Sequence, residues 1–218
     1  MISAVLFDFG GVILSSPFEA FNVYESEIGL PLDTIRRLNA TNPDDNAWAK
    51  LERSDVNADE FAVLFEAEAL AAGFEIDGHA ILPLIAGELR PVMVEALRTI
   101  GAAGFKTACL TNNFRSHDDR GSGVDSDNPE RAAALRSVMT MFDLVVESSR
   151  VGIRKPEVGF YEIALRELGI TASEAVFLDD LGINLKPAKA MGMQTIKVLH
   201  PTQALTELEQ ILGLSLLP

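Results

Sequence analysis

Five short runs of β-branched and apolar residues, at positions 4–7, 107–110, 144–146, 175–178 and 195–198, punctuate the chain, and each reads as a buried strand. Between them the apolar positions recur at helical spacing. Val92, Ala96 and Ile100 precede Gly104; Phe160, Ala164 and Leu168 precede Gly169; Leu205, Leu208 and Leu212 precede Gly213. Each glycine stands where a helix end calls for a left-handed residue. Strands alternating with helices imply parallel pairing through right-handed crossovers, hence an α/β fold with a doubly wound, Rossmann-like parallel sheet covered on both faces. Such sheets bind ligands at the carboxyl ends of their strands. Polar residues follow directly on three of the predicted strands: Asp8, Thr111-Asn112 and Asp179-Asp180.

Residues 17–89 break the alternation and read as helices only, with Asp59 as an N-cap ahead of Phe61, Leu64, Phe65 and Leu70 up to Gly73. The expected organisation is a Rossmann-like core from 1–16 and 90–218 with an inserted helical cap at 17–89. Phe18, Phe21, Tyr24 and Trp48 are then expected in the interior of the cap rather than as a platform for substrate. Residues 115–130, rich in Asp, Ser, Gly and Asn, read as a long polar loop.

Composition changes this picture little. A chain of 218 residues with 48% hydrophobic content can bury a sizeable core. The formal charge of −14 opposes non-specific binding to nucleic acid or an anionic membrane, which depends on basic patches. Bulk charge is screened over about 8 Å, so a local cation can still attract an anionic substrate. The single cysteine, Cys109, between Ala108 and Leu110, reads as a buried strand residue and excludes an intramolecular disulfide. No secretory leader or membrane-length apolar run is evident, so a cytoplasmic protein is expected. Oligomeric state is not legible.

Asp8 precedes Phe9-Gly10-Gly11-Val12, where two glycines permit a tight turn and close backbone approach, although an aspartate there also serves as a plain turn cap. Thr111 and the N–H groups after it suit a small anion-binding turn. Lys155-Pro156 puts a cation just before a helix start, where the helix dipole does not stabilise it, so the lysine serves either a nearby anion or only the solvent. Asp179 and Asp180 are adjacent carboxylates at a buried strand end. They form either a simple turn or a site for a hard divalent cation such as Mg²⁺, which relieves their repulsion.

Asp8 with Gly11-Val12, Leu110-Thr111-Asn112, Lys155-Pro156 and Phe177-Leu178-Asp179-Asp180 occur in the order and rough spacing of the four haloacid dehalogenase superfamily motifs, and the chain resembles that superfamily over nearly its whole length. Val146-Glu147-Ser148 and Asn184-Leu185-Lys186-Pro187-Ala188 narrow the resemblance to the N-terminal phosphatase domain of soluble epoxide hydrolases. The Asp-Phe-Gly-Gly-Val start is similar to the related region of a multidomain acyl-CoA dehydrogenase family. The resemblance implies a Mg²⁺-dependent phosphatase acting on a small phosphorylated molecule. In it, Asp8 would attack phosphorus and form an aspartyl-phosphate that water later hydrolyses. It further implies Mg²⁺ on Asp8, the Gly10 carbonyl and Asp180, with Asp179 holding a metal-bound water or the lysine. Thr111, the Asn112 N–H and Lys155 would hold the phosphoryl group, and Asn184 would orient its loop.

The chain departs from the family pattern at Gly10, where most phosphatases of the superfamily carry a second aspartate as general acid and base. Loss of such a group costs about 10²- to 10⁴-fold. Substrates with good leaving groups, such as aryl, acyl or anomeric sugar phosphates, are therefore expected to be favoured. His117 and Asp118 are possible substitutes for the acid, although loop histidines are commonly just solvated. An inactive phosphate-binding protein is the alternative that Gly10 suggests. A 2-haloacid dehalogenase is a further alternative, weakened by Asp179-Asp180, which metal-free halide displacement leaves without a purpose.

Overall fold

The computed structural model describes residues 1–113 and 129–217. Five strands form one parallel sheet: β1 (Ala4–Phe7), β2 (Lys106–Thr111), β3 (Leu144–Glu147), β4 (Ala175–Asp179) and β5 (Gln194–Lys197). Their order is β3-β2-β1-β4-β5. The chain thus winds outward from β1 through β2 to β3, then crosses to the other side of β1 to lay down β4 and β5. The reversal of winding lies between β1 and β4, where a doubly wound sheet opens its ligand crevice. Phe7 pairs with both Cys109 and Leu178, and the Asp8 N–H donates to the Leu178 carbonyl at 2.8 Å. Asp8 is therefore carried to the tip of the sheet beside Asp179.

Successive β1 side chains point to opposite faces. Val5 and Phe7 join Met93, Leu97 and Ile100 of α6 (Pro91–Ala102), Leu135 and Val138 of α7 (Pro129–Met139), and Leu205 and Leu208 of α11 (Pro201–Leu212). Ala4 and Leu6 join Phe160, Tyr161 and Ala164 of α9 (Val158–Leu168) and Leu185 and Ala188 of α10 (Gly182–Met191). The short α8 (Ser148–Val151) follows β3 directly. All five predicted strands are present within a residue or two, and Gly104, Gly169 and Gly213 take left-handed φ values of 89°, 64° and 69° at the helix ends.

Between β1 and α6 lie α1 (Pro17–Glu27), α2 (Thr34–Ala40), α3 (Ala47–Glu52), α4 (Ala58–Ala71) and α5 (Ile81–Leu84). Phe21, Ile35, Trp48, Leu51, Phe61 and Phe65 form their interior, with Phe18 and Tyr24 partly buried against it, and this cluster takes no residue from the sheet or its flanking helices. The entry and exit segments pair with each other: Leu14 bridges Leu89 in antiparallel sense, and the Arg90 N–H donates to the Ile13 carbonyl at 2.9 Å. Two expectations are corrected here. The N-cap of α4 is Asn57 rather than Asp59, because Asn57 and Glu60 exchange side-chain-to-backbone hydrogen bonds in a capping box and the helix begins at Ala58. At the end of the polar 115–130 segment, residues 129 and 130 already belong to α7. Most of that segment, including His117 and Asp118, lies outside the described residues.

Candidate active site

Asp8 leads into a wide helical turn, Phe9–Ile13, and its Oδ1 accepts from the Phe9 N–H at 2.6 Å. Gly11 has φ +76°, and a Cβ there would lie 2.2 Å from Asp180 Oδ2. This glycine lets the first strand tip approach the Asp180 carboxylate, as well as supplying the left-handed backbone. The Arg90 guanidinium braces the same turn by donating to the Gly11 carbonyl at 2.8 Å. Gly10 differs: φ −68° and ψ 133° suit any residue, and a Cβ would meet nothing within 4 Å. Among the described residues, nothing fills the space beside Gly10.

Lys155, only 1% exposed, reaches into this tip from the segment between α8 and α9. Its Nζ lies 2.8 Å from Asp8 Oδ1 and 2.9 Å from Asp179 Oδ2. The two carboxylates outweigh burial and push the lysine pKa upward, so it stays charged. Asp179 is fully committed: Oδ2 also accepts from Asn184 Nδ2 at 3.0 Å, and Oδ1 accepts from the Leu181 N–H at 2.8 Å and from Asn184 Nδ2 at 3.1 Å. The Asn184 carbonyl in turn accepts from the Tyr161 hydroxyl at 2.7 Å. Asn184 thus fixes the carboxylate that aims the lysine. No described residue donates to Asp8 Oδ2.

Asp180 accepts a 3.2 Å contact from Ser16 Oγ through its Oδ2 and is also hydrogen-bonded by its own backbone N–H. Burial, reinforced by the neighbouring Asp179 charge, pushes its carboxyl up to about 6. Burial likewise raises Asp8, and Lys155 offsets this only in part, because Asp179 and Asp180 push the same way. Carboxylate oxygens from Asp8, Asp179 and Asp180 lie within 4.8 Å of one another. Among the described residues, one buried lysine pairs with two of these three acids. An all-oxygen set with excess negative charge fits a hard divalent cation.

The second strand tip completes the site. Thr111 is buried, and among the described residues its hydroxyl makes only a 3.5 Å approach to the Asn112 carbonyl, at the limit of a hydrogen bond. The Asn112 side chain grips the Lys155 backbone from both sides: its Nδ2 donates to the Lys155 carbonyl at 3.0 Å, and its Oδ1 accepts from the Lys155 N–H at 2.9 Å. Asn113 is locked to the third strand tip. Its N–H donates to Ser148 Oγ at 2.9 Å, its Nδ2 to Glu147 Oε1 at 2.8 Å, and its Oδ1 accepts from Ser149 Oγ at 2.8 Å. Asp8, Asp179, Lys155 and Asn112 are thus joined through direct contacts, Asp180 lies within 4.8 Å of the other two acids, and Thr111 and Gly10 are near neighbours in the chain. Sequence reasoning missed the structural parts of Asn113, Ser149 and Arg90. Their partners lie far away in sequence, and only adjacency to Thr111-Asn112 pointed at Asn113. Cys109 is buried beneath the site and its thiol is pushed up by burial, as expected of a strand residue rather than a nucleophile.

This constellation can be set beside known proteins. The family model for haloacid dehalogenase-like hydrolases matches residues 2–192. The chain belongs to that family. Among curated relatives of this hydrolase, mouse (Mus musculus) acyl-CoA dehydrogenase family member 10 is 34% identical over 98% of the chain, which covers 19% of that protein. Bifunctional epoxide hydrolase 2 of Sus scrofa is 29% identical over 99% of the chain, covering 40% of its length. The chain spans less than half of each. Sesquiterpene phosphatase astK of Aspergillus oryzae is 24% identical, with 96% of each chain covered. Among solved structures, a haloacid dehalogenase family enzyme of Bacteroides thetaiotaomicron, in complex with magnesium and inorganic phosphate, aligns with TM-score 0.56 at 18% identity over 90% of this chain and 94% of the other. That likeness bears on the fold. Family, α/β architecture and hydrolase class thus agree with expectation. Among the described residues, no helix is long and apolar enough to cross a membrane.

Proposed function

We propose that this family member is a Mg²⁺-dependent phosphatase that hydrolyses a small phosphorylated metabolite through an aspartyl-phosphate on Asp8. The observation that carries the reading is the state of the Asp8 carboxylate. One oxygen is held by the Phe9 N–H and Lys155 while no described residue donates to the other. A nucleophile needs that combination of fixed orientation and a free oxygen.

In the proposed reaction Asp8 Oδ2 attacks phosphorus, the bond from phosphorus to the leaving oxygen breaks, and an acyl phosphate forms. Water then attacks phosphorus and the Asp8 carboxylate is released. Lys155 neutralises charge on Asp8 and the phosphoryl oxygens, and the Thr111 hydroxyl with the Asn112 N–H holds those oxygens. Asp8, Asp180 and the Gly10 carbonyl would hold Mg²⁺, which when bound supplies Lewis-acid charge neutralisation at the phosphate. Asp179, saturated by protein donors, serves this site through Lys155. The sesquiterpene phosphatase among its relatives supports the phosphatase assignment. Asp180 also favours it over metal-free dehalogenation, since a second poorly partnered carboxylate has no task there.

The open space at Gly10 leaves the leaving group without a proton donor from that position, so aryl, acyl and anomeric phosphates are the favoured substrates. The inserted helices act as a cap that excludes water and selects the substrate. The test is hydrolysis of para-nitrophenyl phosphate with and without Mg²⁺ by wild type and Asp8→Asn. Metal-dependent turnover that disappears in the variant is expected. A folded, Mg²⁺-binding protein without turnover would instead identify a phosphate-binding relative.

A further inference from the structure

The inserted helices and the sheet layers have separate apolar interiors. Polar contacts tie them together at the strand tips, and Glu52 at the end of α3 accepts two of these. Its Oε2 accepts from Arg154 Nε at 2.5 Å and from Asn112 Nδ2 at 3.1 Å. These donors flank the lysine: Arg154 precedes Lys155 in the chain, and Asn112 grips the Lys155 backbone through two hydrogen bonds. Arg154 also donates through Nη1 to the Pro43 carbonyl at 2.9 Å, and Ser54 Oγ makes a weaker 3.4 Å contact to the Ser149 carbonyl. The Glu52 and Arg154 side chains are only 18% and 15% exposed, so their attraction is less screened than that of a surface pair.

We propose that Glu52 is a positioning residue for the phosphatase reaction, coupling the seating of the inserted helices to the placement of Lys155 through Asn112 and Arg154. The inference rests on the phosphatase reading above. With the helices seated, Glu52 holds both neighbours of the lysine backbone. With the helices displaced, Asn112 and Arg154 lose that shared acceptor and Lys155 loses its outer support. A polar seam without a shared apolar core is the kind of contact through which such a coupling would act. Because Glu52 acts on a group that stabilises charge in the transition state, its loss should fall on kcat rather than on KM.

The experiment compares wild type, Glu52→Ala and the near-isosteric Glu52→Gln with para-nitrophenyl phosphate and Mg²⁺, alongside hydrogen exchange at the Lys155 amide. In Glu52→Ala, kcat is expected to fall about tenfold with KM changed by less than about threefold, within the usual range of site-to-site coupling. Glu52→Gln, which keeps an acceptor but not the charge, should lie between Glu52→Ala and wild type, and it carries the comparison if the alanine variant fails to fold. Retention of kcat within about twofold in a folded variant overturns the proposal. If wild type itself shows no turnover, the phosphatase reading has failed, and exchange then decides the positioning role. Faster exchange at Lys155 in Glu52→Ala supports the tie, and unchanged exchange overturns it.

Discussion

At the residue scale, the site is organised by an imbalance of charge. Asp8, Asp179 and Asp180 face one buried lysine, and Asn184 assigns Asp179 to that lysine, leaving Asp8 and Asp180 under-neutralised. For an acid, a raised pKa means that the folded protein holds the proton more tightly than the unfolded chain. The ionised form of Asp180 therefore costs stability once pH rises from its ordinary value through about 6. At the proposed metal site, Mg²⁺ would have to displace that proton at low pH and would meet an ionised carboxylate at high pH. Saturation a hundredfold above Kd stabilises by about 2.7 kcal/mol, or roughly 5–10 °C in a chain of this size. The midpoint shift produced by Mg²⁺ is therefore expected to be larger at pH 8 than at pH 5. Asp180→Asn should abolish that shift while raising the metal-free midpoint at pH 8 by about 2–4 °C, after discounting for its partial exposure. Equal shifts at both pH values would contradict this electrostatic account.

Gly10 makes the complementary prediction. Its backbone suits an L-residue and its Cβ position is open, so Gly10→Asp should fold normally. If the missing acid limits turnover, the variant should gain on alkyl phosphates by at least about 10²-fold, with a smaller gain on para-nitrophenyl phosphate. Parallel changes on both substrates, read as kcat/KM, would argue that leaving-group protonation is not what this chain lacks.

At the element scale, strands were the most legible feature, because central parallel strands are apolar on both faces and three of the five predicted runs led directly into polar residues. Helix ends were legible where a glycine followed and less so at starts. Asp59 looks like an N-cap ahead of Phe61, but Asn57 and Glu60 satisfy each other's backbone, and that reciprocal geometry decided the start. Asn57→Ala is expected to cost about 1 kcal/mol of stability in thermal or urea unfolding, with kcat preserved in the folded protein. The motif residues Asp8, Thr111, Lys155 and Asp179 were visible because each terminates or follows a strand-and-helix pattern. Asn113, Arg90 and Glu52 were not, because their roles depend on partners brought close only by the fold, such as Glu52 with Arg154 across 102 positions. The task of Gly11 was only half legible: a tight turn was readable, but close approach to Asp180 was not.

At the scale of the molecule, the strand order puts Asp8 and the Asp179-Asp180 pair on either side of the point where the winding reverses. The second and third tips then bring Thr111, Asn112 and, through Asn113, the Ser148 segment to the same end. The inserted helices, with an apolar interior of their own, meet this end through polar contacts that include those of Glu52. One fold thus brings the buried Asp8, proposed as the nucleophile, together with a cation and a candidate metal site at one strand end. Borohydride treatment during turnover of para-nitrophenyl phosphate tests that central claim most directly, since it reduces an acyl phosphate to an alcohol. Peptide mass analysis is predicted to find homoserine at position 8 in wild type only when both substrate and Mg²⁺ are present. Steady turnover with Asp8 unmodified under those conditions would contradict an aspartyl-phosphate mechanism.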